Sequence, residues 1–182
     1  MKLKVSRSGH YNKDMPAATQ VSVSEYLSTT YRPDCEYVDG EILERNLGEI
    51  DHSRLQIQLA FYLRSREAEW GIFALVEQCV QVNPRRFRIP DVCALLAGAE
   101  RTPIIRHAPF LCVEILSKDD TLNSVVHRLD DFLTMGVPNV WVIDPETRRG
   151  YRYTSEGMLE AKDGVMRTSN PNIFVSLTAL FD

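Results

Sequence analysis

The chain has 182 residues, 44% hydrophobic and 25% charged, with 9 glycines and 9 prolines, and its 21 Lys and Arg against 25 Asp and Glu leave a net charge of −4. Those figures fit one domain with a full hydrophobic core and exclude disordered, collagen-like and solenoid classes. They also argue against coating DNA by bulk charge, though not against a local basic groove. No apolar run approaches the roughly 20 residues of a membrane helix, and no apolar signal core opens the chain. Cys35, Cys79, Cys93 and Cys112 form no C-x-x-C pair and read as reduced, packed thiols, so a cytoplasmic location is expected.

Residues 1–20 carry four basic side chains against Asp14 and read as a flexible basic arm; residues 21–182 read as a single domain. Ser22 and Glu25 make a capping box, with Val21 and Tyr26 as its hydrophobic staple, so a short helix is predicted before Pro33. Asp39-Gly40 between two strand-like runs predicts a tight hairpin. A long helix is predicted from about Ser53 to Trp70, capped by Ser53 and Gln56, with His52 at its entrance. Its stripe of Leu55, Leu59, Tyr62 and Leu63 is widened by Ile57 and Phe61.

Strands are predicted from Phe73 to Val82 and from Phe87 to Leu96, joined at Asn83-Pro84, and from Phe110 to Leu116, apolar enough to be central. A helix follows from about Thr121 to Met135, stopped by Gly136 and Pro138, with the stripe Leu122, Val125, Val126, Leu129, Phe132 and Leu133. A strand from Asn139 to Ile143, hairpins around Asp163-Gly164 and a last short helix over 177–181 complete the order. A mixed α/β (α+β) fold, with one central sheet covered by helices on both faces, accommodates it.

Two acids stand out. Period-two alternation places Asp91 in a row with Phe87, Ile89, Cys93 and Leu95, and Glu114 in a row with Phe110, Cys112 and Leu116. An unpaired carboxylate facing a core costs several kcal/mol or neutralises, and two of them repel. A divalent cation between them removes both penalties, since hard cations take oxygen ligands. The bland alternatives are that each acid pairs with a buried arginine, or that Asp91 caps a bulge beside Pro90.

Pro90-Asp91 followed 23 residues later by Glu114 resembles the PD-(D/E)XK nuclease signature. The surrounding segments are more specific: Glu36-Tyr37-Val38-Asp39-Gly40-Glu41, His52, Arg88-Ile89-Pro90-Asp91-Val92, Val113-Glu114-Ile115-Leu116-Ser117, and Gly136-Val137-Pro138 leading to Trp141-Val142-Ile143-Asp144-Pro145. In this order they resemble the Uma-type family of restriction-endonuclease-like proteins over about residues 20–182. The resemblance implies a restriction-endonuclease-like core and a metal-dependent endonuclease that hydrolyses DNA phosphodiester bonds. It also implies Mg2+ or Mn2+ held by Asp91 and Glu114, with Glu36 as a further acid of the metal shell. His52 matches the family's helix-entrance histidine, as ligand, proton shuttle or cap of the cleft. Nucleases that cut both strands are often dimers, so a homodimer is expected.

The chain departs from the pattern at Leu116, where the motif has lysine. Family members commonly carry that lysine on the following helix, where this chain has Arg128. Arginine holds phosphate through two hydrogen bonds but cannot act as a base. Lys118, on the strand face of Glu114 if the strand continues so far, is the substitute; a surface pair with Asp131 is the bland alternative for Arg128. Arg85, Arg86, Arg88, Arg101 and Arg106 oppose only Asp91 and Glu100 between 84 and 106, and Arg148, Arg149 and Arg152 form a second cluster. The first three are the candidate nucleic-acid contacts. An active nuclease, a nuclease-fold binding protein without catalysis, and an oligomeric interaction protein are the three classes these residues allow.

Overall fold

A computed structural model describes residues 20–45 and 49–181; the expected basic arm lies outside them, apart from Gln20. Helix α1 (Val23–Ser28) begins as predicted, with the Ser22 hydroxyl accepting the Glu25 N–H at 3.1 Å. Strands β1 (Cys35–Val38) and β2 (Glu41–Glu44) form the hairpin. Asp39 and Gly40 both have positive φ, 51° and 108°, which a two-residue turn of this hand requires.

Helix α2 (Ile50–Arg64) departs from expectation at both ends. It starts after Glu49, so Ser53 lies inside it and caps nothing, and His52 belongs to its first turn. It breaks after Arg64, and a separate turn, α3 (Glu67–Trp70), ends on left-handed Gly71. Leu55, Leu59 and Leu63 are buried, but Ile57 and Phe61 are each 68% exposed, so the stripe is narrower than predicted.

The two long strands predicted next are each broken in two. The first becomes β3 (Ile72–Val76) and β4 (Val80–Asn83); the second becomes β5 (Arg86–Arg88) and β6 (Val92–Leu96). β3 pairs with β6 and β4 with β5, so one long hairpin passes from one sheet into another, bending between Val76↔Val92 and Val80↔Arg88. Two local features cause the bend: Pro90 has no N–H to give a ladder, and Glu77 sits at φ 50°. The Glu77 N–H donates to the Asp91 carbonyl across it.

Strand β7 (Leu111–Ile115) is central and fully buried. Helix α4 (Leu122–Met135) carries the chain from β7 to the parallel strand β8 (Asn139–Asp144). Thr121 caps α4 with Ser124, and left-handed Gly136 ends it; Leu122 is 72% exposed and leaves the stripe to Val125, Leu129 and Phe132. Strands β9 (Arg149–Thr154), β10 (Gly157–Glu160), β11 (Val165–Arg167) and β12 (Phe174–Ser176) and helix α5 (Thr178–Phe181) follow.

The larger sheet has the order β10-β9-β8-β7-β6-β3, and the smaller β2-β1-β5-β4. One face of the larger sheet packs α2, α5 and the β11–β12 pair around Trp141, Leu59, Val113 and Met166. The other packs α4 and β4 around Phe132, Leu129, Cys112 and Val80. Helices therefore cover both faces of a mixed sheet, as expected. Tyr26, Tyr37 and Phe87 form a small aromatic core under the smaller sheet. All four cysteines are free thiols. Among the described residues no helix is long and apolar enough to cross a membrane.

Candidate active site

A cleft of about 740 Å³ runs along the seam between the two sheets, and Glu36, His52, Arg88, Asp91, Glu114 and Arg128 all line it. The fold thus gathers the acids picked out from sequence, with different partners for each.

Asp91 lies at the bend, outside any strand, so the alternation that placed it in one row with Phe87 and Cys93 does not apply. Because β6 begins only at Val92, the Ile115 N–H beyond it lacks a ladder partner there. The Asp91 carboxylate supplies one: Oδ2 accepts that N–H at 2.8 Å. His52 Nε2 lies 3.3 Å from the same oxygen, and Arg45 Nη2 donates to Oδ1 at 2.8 Å. Burial disfavours a charged His52, but the hydrogen bond and charge of Asp91 outweigh it, and its pKa rises.

Glu114 leaves β7 on the α4 face and is 4% exposed. Arg128 Nε donates to its Oε2 at 2.9 Å, while Oε1 is buried with no hydrogen-bond partner. Burial raises the Glu114 pKa to about 8; Arg128 opposes the rise, and the Asp91 and Glu36 charges add to it. Arg128 also donates through Nη2 to Asp120 at 2.8 Å, and Asp120 accepts the Ser117 N–H. Arg128 thus reaches inward over the rim of α4, and the surface pair with Asp131 does not form.

Asp131 instead belongs to a chain of charges, buried at Asp131, Arg88 and Glu36 and partly exposed at Arg86 and Asp39. Arg86 joins Asp39 to Asp131, and Arg88 joins Asp131 to Glu36, through contacts of 2.5–2.8 Å. Glu36 Oε2 accepts from Arg88 Nη1 at 2.6 Å and Oε1 from the Ile89 N–H at 3.0 Å, so both its oxygens are engaged. Arg88, expected as a nucleic-acid contact, is 4% exposed and paired with two acids, and Glu36, expected as a further acid of the metal shell, has both oxygens engaged, one of them by Arg88. Arg86 is likewise tied to Asp39 and Asp131, whereas Arg85 is exposed, with Nη2 on the Asp39 carbonyl.

The strand does not continue as far as Lys118: β7 ends at Ile115, so Lys118 shares no strand face with Glu114; its side chain is 75% exposed and lies 3.5 Å from Glu49. Among the described residues no three His, Cys, Asp or Glu side chains are set to hold a cation. The donor chemistry nonetheless suits one at Asp91 and Glu114, because Glu114 keeps a buried, unpartnered carboxylate oxygen.

Sequence reasoning missed Arg45 and Asp120. Arg45 had only a weak signal: Glu36 faces Leu43 in the hairpin register, and extending the alternation one residue past β2, which ends at Glu44, puts Arg45 on the same side. Asp120 had no signal beyond a polar loop before α4.

Residues 23–179 match the family model Uma2, described as "Putative restriction endonuclease". Among solved structures, the chain is similar to "a putative nuclease belonging to DUF820" from Anabaena variabilis ATCC 29413. That likeness has a TM-score of 0.76 at 20% identity, covers 88% of this chain and 97% of the other, and shows the fold. No significant match is found among curated proteins. With the family model spanning nearly the whole domain, the chain belongs to the Uma2 family of restriction-endonuclease-like proteins.

Proposed function

We propose that this protein is a metal-dependent endonuclease hydrolysing phosphodiester bonds of DNA, with Mg2+ or Mn2+ held by Asp91 and Glu114. The observation that carries the reading is Glu114 Oε1, an acceptor buried without a partner on a carboxylate that lines the cleft. A bound cation there supplies Lewis-acid polarisation of a phosphoryl oxygen and a water of lowered pKa. The Ile115 N–H and His52 hold Asp91 in orientation, and Arg128 holds Glu114. Arg128 offers positive charge to a phosphate as its negative charge builds, but keeps its own proton: Glu114 and Asp120 outweigh the effect of burial and raise its pKa further. Glu36 serves the site through Arg88, and of Arg85, Arg86 and Arg88 it is Arg85 that is exposed and offers its charge to nucleic acid.

A second reading, a nuclease-fold protein that binds nucleic acid without cutting it, is favoured by one observation. Each of the three acids that the motif singles out carries an arginine, Glu36 with Arg88, Asp91 with Arg45 and Glu114 with Arg128, while Leu116 stands at the motif lysine. The experiment is thermal melting with Mg2+ or Mn2+, paired with incubation on duplex and single-stranded DNA. We expect the metal to raise Tm, Asp91→Asn or Glu114→Gln to abolish the rise, and cleavage to require the metal. A metal response without cleavage of any form selects the second reading; no response to either metal removes the first.

A further inference from the structure

The cation position at Asp91 already has an occupant from within the chain. Arg45 directs Nη2 to Asp91 Oδ1 at 2.8 Å and Nη1 to Glu77 Oε1 at 3.1 Å, a fork across two carboxylates at the bend of the long hairpin. Its side chain is 20% exposed and that of Asp91 only 7%, so the pair is weakly screened by water. Asp91 Oδ2 is bound to the Ile115 amide of the central strand and faces His52, which leaves Oδ1, the oxygen Arg45 covers. A dication reaching Oδ1 meets a guanidinium charge at contact distance.

The three arginines on the cleft acids are not equally held. Arg88 ends β5 buried between Glu36 and Asp131, and Arg128 lies mid-helix in α4, gripped by Glu114 and Asp120. Arg45 lies just past the end of β2, the edge strand of the smaller sheet, and its second partner, Glu77, is half exposed. It is the one of the three with a solvent-exposed partner and the one placed on the acid that the proposed metal needs.

We propose that Arg45 is the resident counter-ion of Asp91 and a competitor of the divalent cation: the metal binds only as the guanidinium leaves Oδ1, so Arg45 sets the metal concentration at which the site fills. This rests on the reading of Asp91 and Glu114 as the metal-holding pair. It accounts for a buried acid pair that stays neutralised without a metal, and it gives Arg45 a role that neither the motif nor the family pattern of residues assigns.

The test is calorimetric titration of the full chain with Mn2+, comparing wild type with Arg45→Gln, each verified as folded by its melting curve. We expect Arg45→Gln to bind Mn2+ about tenfold more tightly, equivalent to ~1.4 kcal/mol. Arg45→Lys keeps the charge but loses the fork, so it gives a smaller gain in the same direction, and it carries the test if Arg45→Gln does not fold. Equal or weaker Mn2+ affinity in the variant that folds overturns the competition while leaving the metal reading intact. No Mn2+ binding by wild type or by either variant overturns both. A purely structural role for Arg45 predicts loss of affinity with loss of order, never a gain.

Discussion

The two walls of the cleft use the same residue types to opposite ends. On the wall built from the smaller sheet, Glu36, Arg88, Arg86 and Asp39 form an alternating chain that runs through Asp131 of α4, with both oxygens of Glu36 and of Asp131 engaged. On the wall built from the larger sheet, Glu114 is held through one oxygen and leaves the other buried and unpartnered. A closed network of charges fixes structure, because every desolvated group has its counterpart. An open one retains capacity for a ligand, at a cost in stability. The comparison teaches that burial and proximity alone do not separate a structural acid from one with an oxygen left for a ligand; the count of satisfied oxygens does.

The sharpest way to break this comparison is to open the closed wall. Arg88→Met leaves Glu36 and Asp131 short of a buried partner, and we expect it to destabilise the fold by ~3–5 kcal/mol in chemical denaturation. A loss below ~1 kcal/mol shows that the network is not the clamp described here.

The next effect reads the open wall through pH. The pKa of Glu114 is raised from 4.5 to about 8 in the folded chain. As pH climbs through that interval the unfolded chain gives up its proton first, so this group's contribution, full below the lower value, is lost toward the upper one. We expect a fall on the order of 4 kcal/mol between about pH 5 and about pH 8.5, which Glu114→Gln flattens. The raised pKa of His52 acts in the same direction and leaves a residual slope in that variant. A wild-type profile as flat as that of the variant contradicts the assignment.

A smaller effect separates the walls at a single pH. At about pH 8.5 Glu114→Gln should lie within ~1 kcal/mol of wild type, because the amide keeps an acceptor for Arg128 while the buried charge disappears. The same variant loses the metal-induced rise in Tm, so stability and metal response part company. Smallest of all is Arg85→Ala, with no measurable change in Tm, and with the salt slope of DNA binding reduced by about one. An unchanged slope removes Arg85 from the interface.

Much of this was readable from residues alone. A capping box announced α1, an apolar stripe stopped by Gly136 announced α4, Asp39-Gly40 announced its hairpin, and an apolar run announced β7 as central. The acids Asp91 and Glu114 stood out because an apolar strand does not tolerate them without a reason. What stayed hidden was long-range. Period-two alternation has no means of showing that one hairpin changes sheets at Pro90, since both halves keep the same apolar pattern. Ile57 and Phe61 match a helical period whether or not anything covers them. The engagement of Arg88 with Glu36 and Asp131 spans 52 and 43 residues, and no local pattern links them.

The bend in the long hairpin has a mechanical consequence. Both of its strands cross from one sheet to the other at the same level, through Glu77 and Asp91, which are themselves bonded across the gap. The two sheets are therefore joined along a covalent axle. Glu36 lies out on the smaller sheet, whereas Asp91 lies on the axle itself. The Arg88–Asp131 pair ties the smaller sheet to α4 on the far side. The acid proposed to hold the metal sits where the sheets join, and the walls of the cleft are braced elsewhere, by a strut of charges.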